Sequence, residues 1–272
     1  MALVRENTAT KNDETLGTVG ASLTGFNLNC GTNGDRFAFV RVGFENTNVH
    51  IITGVTIDGN AMTSLGAKVV VNFQAVHGWY YINPGTGNRS VVVTHDGGNG
   101  GAARACNIHA AAYSGAHQTT PTSGYATGSG LPSTDADVTV VSAVGSLVLG
   151  AFAGNHGTWT TDDAGATELA DTTVSGSGGN SGTMSERPGA ESVAMQHTPP
   201  TNRWAGFGFS LAPSAAAATS GAGVDSEGAP MSVSRSRPNV SVFACSMAKA
   251  ARKAIGDFRP SGGLWLPEAY AR

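Results

Sequence analysis

Two groups of acidic residues have the spacing that acid–base chemistry would need. Asp135 and Asp137 stand at i and i+2, so on a strand both carboxylates would point to one face. Asp162, Asp163 and Glu168 lie just beyond Trp159. A glycosidase places two carboxyl groups about 5–10 Å apart across the scissile bond. Asp135 and Asp137 have no neighbouring Trp or Tyr to hold a sugar. Solvated turn acids, or an incidental cation site, are the plainer reading of both groups.

Trp79-Tyr80-Tyr81 is the densest aromatic cluster. Such rings can serve as stacking platforms for carbohydrate. On a strand, however, Trp79 and Tyr81 share one face while Tyr80 points to the other, so at least one side belongs to a core. Trp79, Tyr80 and Trp159 are the candidate glycan contacts, with core packing as the competing reading.

The remaining chemistry is sparse. The chain contains no GxSxG nucleophile elbow, Walker A loop, HExxH pair or EF-hand loop. His50, His77, His95, His109, His117, His156 and His197 are scattered without metal-ligand spacing. Cys30, Cys106 and Cys245 are far apart and odd in number, which fits small buried hydrophobes better than a zinc site or a disulfide framework. No catalytic residue, cofactor or metal is expected.

Composition narrows the scaffold that must carry these residues. Charged residues make up 13% of the 272, and glycine reaches 38. Both depart from the average domain, at about 25% charged and 7% glycine. Low charge with many small residues suits short strands and tight turns rather than long helices, whose exposed faces need Lys, Glu and Arg. The net charge is −3, with no basic block before residues 235–259, so the body lacks the footprint of a nucleic-acid binder. No apolar run approaches the roughly 20 residues that span a bilayer. Met1 to Thr15 has no signal-peptide core. Synthesis in a host cytoplasm, without a cleaved signal, is the expectation.

Period-2 alternation dominates residues 16–213, which are expected to form an antiparallel β-sandwich or jelly roll. Lys68 to Ala75 alternates most clearly and reads as one strand. Ala205, Phe207, Phe209 and Leu211 share a face, as do Ala38, Val40, Val42 and Phe44. Further strands are expected at 18–27, 49–57, 78–83, 89–95, 103–113, 137–142, 146–153 and 190–197. Asp58-Gly59-Asn60 favours positive φ and closes a tight hairpin, and Asn83-Pro84-Gly85 and Asp96-Gly97-Gly98 break strands. Residues 1–15 read as a polar N-terminal arm. Residues 114–136 and 171–189, rich in Gly and Ser, read as long surface loops.

Composition changes at Ala212. Residues 214–239 read as a linker, and 240–272 as a short amphipathic helix followed by an apolar tail. That tail carries Phe258, Leu264, Trp265, Leu266 and Tyr270. It is too short to bury these side chains within itself. They must pack on the β domain or on a neighbouring subunit, and the linker makes the neighbour the preferred reading, with this segment as an anchor.

The segments GVTIDGNAMTSLGA (54–67), GWYYINPGTGNRSVVVTHDG (78–97), AAYSGAHQTTPTSG (111–124), GSLVLGAFAG (145–154) and RWAGFGFSLAP (203–213) carry a family resemblance. Residues 15–213 resemble a widespread group of bacterial and phage β-sandwich proteins, most distinctively in the SGAHQTTP turn and the WYYINP strand. The resemblance implies a lectin-like or jelly-roll sandwich of the kind used in phage structural and cell-surface proteins, with no catalytic residues to carry over. The expectation is therefore a non-catalytic component of a tailed bacteriophage virion. It would be a capsid decoration protein or part of the tail, fibre or collar, attached to other virion proteins and forming homo-oligomers. Two alternatives stay open: an adhesin or receptor-binding module that recognises a host surface glycan, and a polysaccharide-degrading sandwich enzyme using Asp135 or Asp137.

Overall fold

Strand pairing organises the chain into two halves with one topology. The computed structural model describes residues 1–13, 25–45, 52–95, 105–131, 133–174, 179–200 and 203–215. The first half contains β1 (Val4–Asp13), β2 (Phe26–Asn29), β3 (Phe37–Glu45), β4 (Ile52–Ile57), β5 (Asn60–Ala61), β6 (Thr63–Ser64), β7 (Val69–Val71), β8 (Gln74–Ile82), β9 (Asn88–His95) and β10 (Cys106–Ser114). The second contains β11 (Thr122–Gly130), β12 (Ala136–Val141), β13 (Leu147–Asn155), β14 (Thr160–Thr161), β15 (Thr167–Val174), β16 (Asn180–Pro188), β17 (Ser192–Thr198) and β18 (Trp204–Leu211). The described residues are all-β and every ladder is antiparallel.

In the first half one sheet runs β1-β10-β3-β8-β6, with β7 also on β8, and the other runs β2-β9-β4-β5. In the second half one sheet runs β11-β18-β13-β16-β15 and the other β12-β17-β14. Substituting β11–β14 for β1–β4, and β16–β18 for β8–β10, turns the first arrangement into the second. The antiparallel sandwich expected from the sequence is thus doubled. Local sequence agrees: Pro84-Gly85 followed by Ser90, Val91, Val93 and His95 matches Pro188-Gly189 followed by Ser192, Val193, Met195 and His197.

The larger sheet of each half packs against that of the other, giving four layers. Ala38, Val40, Val42 and Phe44 face the first outer sheet, around Leu28, Val55 and Val91. The opposite face of the same inner sheet brings Phe37, Phe39 and Tyr113 against Leu149, Phe207 and Phe209. The second outer sheet covers Phe152, Trp159, Met195 and Trp204. Phe39 meets Phe207 edge-on at 6.2 Å between centroids and Phe209 at 5.0 Å. Such aromatic pairs contribute about 0.5–1.5 kcal/mol each beyond their buried area.

Several expected elements differ. Val4–Asp13, read as an arm, is a full strand along β10. Its polarity reflects an edge position with one neighbour. Lys68–Ala75 is a hairpin rather than one strand: Val71 pairs with Gln74 across Asn72 (φ 47°) and Phe73. The 114–136 loop contains β11, another edge strand. The 171–189 loop contains the second half of β15 and all of β16. Strand β16 is buried although it reads Asn-Ser-Gly-Thr, because its neighbours fill the space. A Cβ on Gly182 would strike the guanidinium of Arg41. The expected tight turn at Asp58-Gly59 is present, with φ of 49° and 78°.

Segment 115–121 joins the halves, so the SGAHQTTP turn is the linker between the two sandwiches. Gly115 adopts φ 72°, with the carbonyl of Ala2 where a Cβ would stand. Ala116 bridges Pro213, and Ser214 N donates to Gly115 O at 2.7 Å. His117 Nδ1 accepts from Thr120 N at 3.1 Å, and Gln118 Nε2 donates to Ala116 O at 2.8 Å. Met1 N donates to Ser214 O at 3.2 Å, so the first described residues meet residues 213–214 at this junction. By contacts, the described residues all belong to one compact unit, Met1–Thr219. Asp96-Gly97-Gly98, Cys245, the expected helix at 240–257 and the anchor residues Phe258, Leu264, Trp265, Leu266 and Tyr270 lie outside the described residues.

Candidate functional site

Polar side chains inside the apolar strands converge on the boundary between the inner sheets. Arg41 interrupts the apolar run of β3 and is fully buried. Its guanidinium donates to the side-chain oxygen of Asn107 on β10 and to the carbonyl of Phe152 on β13. Asn107 donates to Asn180 on β16, and Asn180 donates to Gln74 on β8. Gln74 Nε2 donates to Asn155 Oδ1 at 2.8 Å. This chain of hydrogen bonds crosses between the sandwiches and back. Burial pulls the Arg41 guanidinium down to about 9, which still leaves it cationic at neutral pH. Desolvation is the cause, as low-polarity surroundings disfavour a charge.

Beside the chain, His109 Nε2 meets Thr172 Oγ1 at 2.6 Å. Burial, followed by the Arg41 charge, holds His109 neutral, well below the usual imidazole range. Asp171 accepts from Trp159 N at 3.0 Å, and burial pushes its carboxyl up to about 6. At the other side of the junction Glu186 accepts from Arg5 Nη1 at 2.6 Å and from the Tyr113 hydroxyl at 2.7 Å.

The mouth of the junction is a cavity of about 390 Å³ lined by Glu45, Phe73, Gln74, Asn155, His156, Gly179 and Arg203. Glu45 and Asn155 end β3 and β13, while Gln74 and Asn180 begin β8 and β16. These are matching positions in the two halves, so the cavity sits where their repeated geometry meets. Glu45 and Gln74 are buried, and the Phe73 ring is 53% exposed on its turn. Among the described residues Arg203 Nε has no hydrogen-bond partner.

The acidic residues come together in part. Asp135, Asp137 and Asp162 line one hollow of about 220 Å³ with Gln196, His197 and Thr198. Thr198 Oγ1 donates to Asp162 Oδ2 at 2.6 Å. Asp163 turns away to Arg187, and Glu168 Oε2 accepts from Thr161 Oγ1 at 2.9 Å. Among the described residues no group of three or more His, Cys, Asp or Glu is placed to hold a metal ion. His197 bonds Ser185 Oγ at 2.9 Å and packs 4.7 Å from the Phe152 ring; burial lowers it to about 4.

Two of the three aromatic candidates, Trp79 and Trp159, are interior residues. Trp79 is 5% exposed in the first sandwich core, and Trp159 is 3% exposed in the second, where its Nε1 donates to Ser181 Oγ at 3.0 Å. Tyr80 lies half-buried, stacked on Phe37 at 5.6 Å. A sugar cannot stack on Trp79 or Trp159 as they stand, because other core side chains cover their faces. Cys30 and Cys106 are thiols buried in the first core, and desolvation pushes Cys30 up to about 11. The cavity at the junction escaped sequence reading, although Arg41 in FAFVRVGF and Asn107 and His109 in CNIHAAAY stand out as polar residues in apolar strands.

No protein family, curated protein or solved structure matches the chain.

Proposed function

We propose that this protein is a non-catalytic structural component of a tailed bacteriophage virion, either a capsid decoration or accessory protein or part of the tail, fibre or collar. It is held by protein–protein contacts with other virion proteins. One observation carries the reading: the buried polar side chains join the molecule's own layers. Arg41, Asn107, Asn180, Gln74 and Asn155 bond to one another across the sandwich boundary. Such buried networks favour one arrangement of the layers, which suits a part displayed on a particle.

Residues 240–272 are the proposed attachment segment, with Phe258, Leu264, Trp265, Leu266 and Tyr270 as its contacts. The test compares the full chain with one ending at Thr219, the last residue of the sandwich unit. Rebinding to particles stripped of the protein should be lost with the segment, while the circular dichroism melt of the sandwiches is retained. Undiminished rebinding would move attachment to the sandwich surfaces.

A further inference from the structure

Four of the seven large apolar residues exposed among the described residues stand in pairs on two hairpins. Val141 and Val144 lie where β12 turns into β13 and are 68% and 90% exposed; Val70 and Phe73 lie on the β7–β8 hairpin at 40% and 53%. None of the four belongs to the buried clusters of the sandwiches. Both hairpins are held in shape. Ser146 N donates to Ala143 O at 3.1 Å, Gly189 N to Ser146 O at 2.8 Å, and the Ser142 and Ser210 hydroxyls bond at 2.7 Å. Phe73 occupies a two-residue turn between paired Val71 and Gln74. The hairpins mark opposite ends of the strands. Val141–Val144 leads into Leu147, the first residue of β13, whereas Phe73 lines the cavity beside Asn155, its last. Nine strand residues at about 3.4 Å each separate the two ends by about 30 Å. Their charges are opposite: exposed Glu191 adjoins Ser192, the register partner of Val141, and Lys68 precedes Val70 by two positions.

We infer that copies of this chain associate head to tail, with Val141 and Val144 of one copy packed on Val70 and Phe73 of the next and Glu191 set beside Lys68. Each molecule carries both halves of this contact at opposite ends, so it cannot satisfy the contact by itself. Pairing like ends instead would bring Glu191 towards Glu191, or Lys68 towards Lys68, at a cost in charge repulsion. A heterologous contact of this kind leaves a free end on every dimer and propagates into a ring or a filament. Valine side chains have little rotamer freedom to lose on docking. Two apolar pairs bury a small area, so one contact is weak and the assembly depends on concentration. The contact uses the sandwiches alone and does not depend on membership of a particle, which has its own test.

The test is sedimentation velocity of the full-length protein over a range of concentrations. The parent should associate beyond the dimer as concentration rises. Val144→Asp and Phe73→Asp each destroy one end, so each variant alone should stay monomeric, while an equimolar mixture should form a dimer and nothing larger. Glu191→Lys and Lys68→Glu should each weaken association at least tenfold, and the two together in one chain should restore it. All four positions lie at the surface or turn edge, and unchanged thermal melts separate lost contact from lost fold. A parent that remains monomeric at every concentration would overturn the assignment. So would a single Asp variant that still dimerises, a mixture that gives no dimer, or charge reversals that do not compensate each other.

Discussion

Asn180 donates its side-chain amide to the side-chain oxygen of Gln74, and the two residues hold the same position in the two halves of the molecule. Each begins a nine-residue strand, and each pairs with the last residue of its neighbour: Gln74 with Glu45, Asn180 with Asn155. The contact thus joins equivalent points of the repeated sandwich, inside a boundary otherwise filled by Phe37, Phe39, Phe207 and Phe209.

Asn180→Leu should be strongly destabilising. It leaves buried groups on Asn107 and Gln74 without their partner, at a cost of about 1–3 kcal/mol for each unsatisfied group. Urea unfolding should show a total loss of about 2–4 kcal/mol, whereas Gln196→Ala on the exposed face of β17 should fall within about 0.5 kcal/mol of the parent. Equal effects of the two substitutions would contradict an energetic role for the network.

Arg41→Ala and Gly182→Ala attack the same contact from opposite sides. The first removes a buried cation that holds Asn107 and the Phe152 carbonyl; breaking such a buried arrangement costs about 3–5 kcal/mol. The second adds a methyl group where the guanidinium lies, and overpacking costs about 1–3 kcal/mol. Because the sites share one contact, their effects should not add. A double-mutant cycle checks this, and additivity within about 0.3 kcal/mol would show that the two residues do not interact.

Acid should weaken the fold through His197. Its folded pKa is lowered from 6.5 to about 4, so below pH 6.5 the unfolded chain takes up a proton that the folded chain refuses. Stability is complete above pH 6.5 and falls as pH drops towards 4, by at most about 3 kcal/mol from this residue. His109 acts in the same direction. Asp171 opposes them: its folded pKa is raised to about 6, so the folded chain protonates first and gains stability as pH falls through that value. Denaturant unfolding at pH 7.5 and 4.5 should show a difference smaller by about 2–3 kcal/mol in His197→Gln than in the parent. An unchanged difference would contradict the assignment.

Strand character was legible where side chains announce a face. Ala38 to Phe44 and Ala205 to Leu211 each place their predicted apolar set in one core. Doubling of the sandwich was not legible from alternation, because strands of the inner sheets are covered on both faces and lose their polar side. Strand β16 was hidden for a second reason: its Ser181 and Gly182 are small to admit Trp159 and Arg41 from elsewhere in the chain. Strand β1 was hidden by the polarity that an edge tolerates. The repeated Pro-Gly…Ser-Val…His pattern ending at His95 and His197 was available as a signal for the duplication. Convergence of Glu45, Phe73, Asn155 and Arg203 on one cavity depends on packing between halves, which no local pattern encodes.

Calorimetry of the full-length protein should give one cooperative transition for the two sandwiches, because each inner sheet completes the other's core. Two separated transitions would mean that the boundary contributes little. Phe207→Ala should lower that transition, consistent with a loss of about 3–5 kcal/mol for a buried Phe.

Virion membership is tested most directly by quantitative mass spectrometry of density-gradient-purified phage particles from the system that encodes the chain. A structural role predicts peptides from residues 1–215 co-banding with infectious particles, at a fixed ratio of many copies to each capsid. Recovery of the protein only from the soluble lysate, with none in the particle band, would contradict it.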